Sequence, residues 1–289
     1  MGPSNLLIRA VNWLARHWFI NLLLVFAYFI FIFLMHVPCA KLSVFVEHHL
    51  SLPIYNNVVI IISVTLLVLY LLFVYKQITN HTSSVAHKLF YLLLCLSFII
   101  IHFRIMFEMN IEIIHVFQYS ILAFLLFPLT GRFGAAVCFA IPFMLVDEWN
   151  QYINLYPGYV QYFEFNDVIL DINGCGLAMI TLYIAEVTGA QNIKPLWRRP
   201  EFILLAADMI ATATAVLTCF IALYEADKCA NTWLTLNIIH EPVTFWRKFP
   251  NRDVYYHVMQ PLEAIIAIAL LAFFYFGLDS FRKPVPQNN

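Results

Sequence analysis

Long apolar runs separated by short polar clusters dominate the chain. A run of roughly 17–25 predominantly apolar residues crosses the hydrocarbon core of a bilayer as one helix. Eight such runs lie at about 18–36, 56–75, 88–103, 113–129, 134–153, 167–187, 202–223 and 258–279. The pattern predicts an all-α, polytopic integral membrane protein with about eight transmembrane helices. Ahead of the first run, "NLLIRAVNWLARHW" sets Arg9, Asn12 and Arg16 on one helical face and Leu6, Leu7, Ala10, Val11 and Leu14 on the other. Such a segment either lies flat among lipid headgroups or continues the first spanning helix, and both readings stand at this point. The first run is longer than the apolar part of a cleaved signal peptide, and Pro38 before Cys39 argues against a lipoprotein cleavage site.

Composition supports the membrane class. Hydrophobic residues make up 62% of the chain and charged residues 11%, against roughly 45–50% and 25% in soluble domains. One soluble core cannot bury that surplus. Gly-rich phosphate loops, nucleophile elbows and HExxH metal motifs are absent from the sequence. The sequence therefore assigns no catalytic residue, metal or cofactor. Membrane lipids and other membrane-protein subunits are the partners to expect, and nucleic acid is not.

Lys and Arg positions orient the spans, because short cytoplasmic loops are enriched in them. With the N-terminus inside, inner segments hold Arg9, Arg16, Lys76, Lys88, Arg132, Lys194, Arg198, Arg199, Arg282 and Lys283, whereas the short outer loops hold Lys41 and Arg104. In the long outer loop 224–257, Lys228, Arg247, Lys248 and Arg252 are offset by Glu225, Asp227, Glu241 and Asp253. Both termini are thus expected in the cytoplasm, with the loop at 154–166 facing outward. On this map Cys95, Cys138, Cys175 and Cys219 fall inside spans, while Cys39 and Cys229 lie in outer loops. An oxidising compartment would allow those two to pair, so a Cys39–Cys229 disulfide is the expectation. The sequon Asn80-His81-Thr82 falls on the inner side and reads as chance.

The stretch Val146–Gly176 stands apart, with five acids and no Lys or Arg between apolar flanks. Asp147 and Gln151 are four apart with Glu148 adjacent; Asp167 and Asp171 are again four apart, hence on one helical face. Asn173, Gly174 and Gly176 follow, where the backbone can be approached closely. At the start of the fourth run, Glu112, His115 and Tyr119 recur on one side, with Gln118 adjacent. All three groups fall at helix ends on the same expected membrane side. They are expected to line one outward-facing pocket, because buried carboxylates require protons, water or a cation. The bland alternative is that Asp167 caps a helix N-terminus and that Asp147 and Glu148 are solvated.

At these residues the chain resembles the VanZ-like family of membrane proteins. The family pattern opens one helix with Glu-x-x-His-x-x-Glu-Tyr, matched by Glu112, His115, Gln118 and Tyr119. An Asp-Glu-x-x-Gln element follows, matched by Asp147, Glu148 and Gln151, then a Pro-Gly-Arg turn, matched by Pro157 and Gly158. Asp-x-x-x-Asn-x-x-Gly opens the next helix, matched by Asp167, Asp171 and Gly174. Gln118 stands where the family has Glu, Tyr159 where it has Arg, and Asp171 where it has Asn. Losing the Arg and gaining an acid shifts the site toward negative charge. The family takes its name from an accessory role in resistance to teicoplanin, a glycopeptide antibiotic. The resemblance therefore implies a setting in the bacterial cell envelope, in the inner (cytoplasmic) membrane, but supplies no established reaction.

The resemblance covers about 86–190, a four-helix VanZ-like core. It divides the chain into 1–85 (amphipathic segment and two spans), 86–190 (core) and 191–289 (two further spans and the long outer loop). Asp208 in the seventh run and Glu263 just past Pro261 in the eighth fall toward opposite membrane faces and are not expected to pair. Three functions remain open: binding of a lipid headgroup or cation in the outer pocket, acid–base chemistry by His115 and an acid pair on a lipid, or an accessory subunit with an inactive pocket. Ion transport is a weaker fourth.

Overall fold

The computed structural model describes residues 3–80, 84–107, 110–156, 162–187, 195–239, 244–248 and 255–280. Nine α-helices occur among them: α1 Pro3–Arg16, α2 Trp18–Leu50, α3 Leu52–Asn80, α4 Val85–Met106, α5 Ile114–Thr130, α6 Phe133–Leu155, α7 Phe165–Ile184, α8 Pro200–Leu217 and α9 Pro261–Ser280. Seven stretches are long and apolar enough to cross a membrane. The described fold is all-α apart from four very short strands.

The difference from eight expected spans lies in α6. At 23 residues it is long enough, but its second half carries Asp147, Glu148, Asn150 and Gln151, and it does not join the apolar set. Other boundaries moved as well. Helix α2 runs through Pro38 to Leu50, so Cys39 sits within a helix rather than in a loop. At roughly 1.5 Å per residue α2 is about 50 Å long, well beyond the ~30 Å hydrocarbon core. Helix α8 stops at Leu217, six residues before the expected end at 223. Cys219, at φ 57°, turns the chain away there, which puts it outside the span it was assigned to. Helix α1 is distinct from α2, with a kink at His17 (φ −105°, ψ 51°). Its Val11 and Leu14 are buried and Arg9, Asn12 and Arg16 exposed, as an amphipathic segment requires, but Leu6, expected on the apolar face, is exposed.

Helix α7 is the centre of the molecule. Of its apolar window 83% is buried, against 6% for α3 and α8, and it packs on α5, α6, α4 and α9. Small residues allow this. A side chain at Gly174 would place its Cβ 2.6 Å from the Val116 carbonyl oxygen, so α5 and α7 meet nearly backbone to backbone. The contact adds polar ties between helices: Ser120 Oγ donates to the Gly174 carbonyl at 2.7 Å, and Cys175 Sγ to that of Tyr119 at 3.2 Å. In lipid, packing and such bonds replace the hydrophobic drive for helix association.

At one end of the bundle, charged side chains join helix termini. Asp279, from the end of α9, accepts the backbone N–H groups of Phe133 and Gly134 at 2.9 and 3.2 Å. It thereby caps the start of α6 from another helix. Arg132 pairs with Glu201 at 2.8 Å, Arg199 with Asp279 at 3.7 Å, and Lys88 with Glu186 at 2.8 Å.

At the other end, the described residues 218–239, 244–248 and 255–260 form a cap over the start of α7. β1 (Ile221–Ala222) pairs in parallel with β2 (Leu234–Thr235), and β3 (Trp246–Lys248) antiparallel with β4 (Tyr255–His257). Asn166 Nδ2 donates to the His257 carbonyl at 2.9 Å and Asn166 Oδ1 accepts Met259 N–H at 3.0 Å. Asn237 Oδ1 accepts Phe163 N–H at 2.7 Å, and the Tyr152 hydroxyl accepts Ile238 N–H. Glu263 is held by His257 Nε2 at 2.8 Å, a hydrogen-bonded acid at the start of α9. It does not meet Asp208, which is exposed on α8.

Gly174→Ala is expected to force α5 from α7 and destabilise the protein by roughly 1–3 kcal/mol, the usual cost of overpacking. Thermal unfolding in detergent would read it as a lowered midpoint. An unchanged midpoint would mean the helices are not in backbone contact.

Candidate functional site

The acidic end of α6 and the start of α7 meet one face of α5. A 3-10 turn, Asn110–Ile113, leads into α5, so Glu112, His115 and Tyr119 descend along one side. Near the end of α6 stand Asp147, Glu148 and Gln151; the first two turns of α7 hold Asp167 and Asp171. His115, Asp147, Glu148, Asp167 and Asp171 are each no more than 2% exposed. That rules out the solvated reading of Asp147 and Glu148.

Hydrogen bonds fix several of these groups. His115 Nδ1 lies 2.9 Å from Asp171 Oδ1. The other ring nitrogen, Nε2, faces Glu112 Oε2 at 3.6 Å. The Tyr119 hydroxyl donates to Asp147 Oδ2 at 2.9 Å, and His36 Nδ1 from α2 reaches the same oxygen at 2.8 Å. The rings of His36 and His115 are 5.1 Å apart between centroids. Gln151 Nε2 donates to Glu148 Oε1.

What remains unsatisfied is more informative. Asp147 Oδ1, Asp167 Oδ1 and Asp171 Oδ2 are buried without a hydrogen-bond partner. No Lys or Arg pairs with Asp147, Glu148, Asp167 or Asp171 among the described residues. Three overlapping groups have potential ligand atoms within 4.8 Å of one another: Glu112–His115–Asp167, His115–Glu148–Asp171, and Glu148–Glu164–Asp167. Two ligands on opposite sides of an ion bonded at ~2.4 Å stand about that far apart. His115 held through Nδ1 by a carboxylate, with Nε2 turned toward other acids, is the arrangement usual for metal-binding histidines. Just ahead of α7, loss of water around Glu164, together with the neighbouring Glu112 carboxylate, pushes its pKa up to about 7.

Most of the residues expected from sequence come together here, with two exceptions. Asn173 lies apart: its Nδ2 donates to the Ile169 carbonyl at 2.9 Å and its Oδ1 accepts the Tyr275 hydroxyl at 3.0 Å. Two residues along a helix is about 200° of rotation, which turns Asn173 away from Asp171. For Gln118 the contacts are a backbone carbonyl that accepts Tyr28 and a buried Oε1 without a partner; neither joins it to the acids. The Pro157-Gly158 turn and Tyr159 lie outside the described residues. Two contributors were missing from the expected set. Glu164 stands three residues before Asp167, and His36 interrupts the apolar run "FIFLMHVPCA". A polar residue in such a run is itself a signal.

The fold and the site define an all-α protein with seven candidate membrane-crossing helices and a buried carboxylate–imidazole cluster. Comparison with protein-family profiles, curated proteins and solved structures gives no match to the chain.

His36 and Asp147 are expected to act as a unit. His36→Leu and Asp147→Leu should each destabilise the protein, and the double variant should lose less than the sum, with coupling of about 1 kcal/mol or more. Equilibrium unfolding of the four proteins checks this, and additive losses would mean the pair contributes nothing jointly.

Proposed function

We propose that the chain is an integral membrane protein of the VanZ-like type that binds a divalent cation in the buried cluster and, through it, the anionic headgroup of a membrane lipid. Helix α6 is read as the eighth span, both termini as cytoplasmic, and the cluster as lying toward the outer face. The observation that carries the cation is the pair of buried, unpartnered oxygens Asp167 Oδ1 and Asp171 Oδ2, on two aspartates that each stand in an acid group with His115. Buried carboxylates without a cation are costly, and among the described residues neither Lys nor Arg supplies one. Several carboxylates with one imidazole suit Mn²⁺ or Zn²⁺. Asp167, Glu112 and Nε2 of His115 would be the ligands, with Asp171 orienting the imidazole. Support for a lipid comes from the surroundings: the helices carrying the site stand among faces rich in exposed Leu, Ile and Phe. A bound cation there would attract phosphate groups by charge alone.

A second reading, an accessory subunit of a larger assembly, rests on α8. Its apolar window is only 6% buried, yet Asp208, Ala211 and Thr212 are exposed along it. A carboxylate facing lipid in mid-span is expensive, and a partner helix would relieve that cost.

Purified protein in nanodiscs should bind Mn²⁺ saturably, read by electron paramagnetic resonance. Asp167→Asn and His115→Gln should each weaken binding at least about tenfold, in line with losses at metal ligands and their supports. Discs containing anionic phospholipid should then bind Mn²⁺ more tightly than phosphatidylcholine discs in the native protein but not in His115→Gln. Absence of saturable binding would sink the cation, and equal affinity in both lipids would sink the headgroup alone. A reporter fused after residue 289 should be active only on the cytoplasmic side; activity outside would invert the orientation.

A further inference from the structure

Two thiols far from the acidic cluster stand close together in the cap. Cys219 lies two residues beyond the end of α8, and Cys229 ten residues later; their Sγ atoms are 2.6 Å apart. A disulfide bond is ~2.05 Å long, so only a small approach separates the sulfurs from bonding distance.

The backbone holds the two positions together independently of the sulfurs. Thr232 serves both: its hydroxyl donates to the Cys219 carbonyl at 3.0 Å and accepts the Cys229 N–H at 2.9 Å. Its own N–H donates to the Cys229 carbonyl at 3.1 Å. Next to Cys219, the Phe220 carbonyl accepts the N–H groups of Trp233 and Leu234 at 3.0 and 3.3 Å, and the Phe220 and Trp233 rings stack with centroids 5.6 Å apart. Cys219 takes a left-handed conformation, φ 57°, just past the end of α8. Such a prearranged pair has little further ordering to undergo on bonding. The other cysteines offer no rival partner: Cys39 lies in α2, and Cys95, Cys138 and Cys175 are buried in the bundle.

We propose that Cys219 and Cys229 form an intrachain disulfide that staples the end of α8 to the cap. The inference rests on the reading that the cap faces the extracytoplasmic side. Each thiol gives up its proton, one S–S bond forms, and the two electrons pass to the disulfide of an extracytoplasmic thiol–disulfide oxidoreductase, which leaves as a dithiol. This pairing replaces the Cys39–Cys229 bridge that the charge map suggested. Its consequence reaches the acidic cluster. The stapled segment continues through β2 to Asn237, which holds the backbone of Phe163 immediately before Glu164.

The test uses full-length protein carrying Cys39→Ala, alkylated in intact membranes without reductant and then digested for mass spectrometry. The expected result is a linked Cys219–Cys229 peptide, separated by reduction, with neither thiol alkylated beforehand. Alkylation of both thiols before reduction would overturn the disulfide. Side is read separately in Cys219→Ser, and again in Cys229→Ser should the first fail to fold, with a membrane-impermeant maleimide added outside. Labelling of the remaining thiol supports the orientation. If that labelling occurs while both native thiols are alkylated without reductant, the disulfide fails and the orientation stands. If the remaining thiol is protected from outside reagent, the orientation fails, and with it the source of oxidant.

Discussion

Four carboxylates closed off from water where α5, α6 and α7 meet set the conditions for everything around them. Asp147, Glu148, Asp167 and Asp171 are each at most 1–2% exposed, in surroundings where an unpaired charge is costly. The structure answers part of that cost locally. His115 takes Asp171, while His36 and Tyr119 share Asp147. The rest, three aspartate oxygens without partners among the described residues, is the cost that the proposed cation would meet.

Such a cluster needs a rigid frame, and α7 provides it. The helix is buried along most of its length, and its glycines bring it against the backbone of α5 and the ring of Tyr275. Packing that tight fixes where Asp167 and Asp171 point relative to His115. The far end of the bundle is fixed by different means, with Asp279 capping α6 and arginines tying α6, α8 and α9 together. Over the site, the cap secures Phe163 and Asn166, the residues on either side of Glu164 and Phe165. Helices α3 and α8 stand outside this frame with most of their apolar surface uncovered. That is the surface a bilayer or a partner chain would occupy.

Several features follow from the order of residues alone. Apolar runs of spanning length identify the all-α class, because a helix is the way a continuous apolar segment satisfies its own backbone. Spacing by four puts Asp167 with Asp171, and Asp147 with Gln151, on common faces, because that is the helical period. Asn173 shows the same rule in reverse, since two residues on from Asp171 it points elsewhere. Where the helices end is decided less locally. Pro38 does not stop α2, and α8 ends early at a cysteine in a left-handed turn, because contacts outside the run set those limits.

What the sequence by itself determined is therefore the helical class, the acidic end of α6 and start of α7, and their kinship with the His115 face of α5. Only the tertiary structure decided that His36, 111 residues before Asp147, joins Tyr119 on that residue's Oδ2, and that Cys229 meets Cys219 rather than Cys39. The physical reason is the same in both cases. Periodicity encodes which way a side chain faces along its own helix, whereas the partner it meets depends on how separate elements pack. That is fixed by close contacts such as Gly174 on Val116 and by the cap's backbone hydrogen bonds, which no spacing along one segment records.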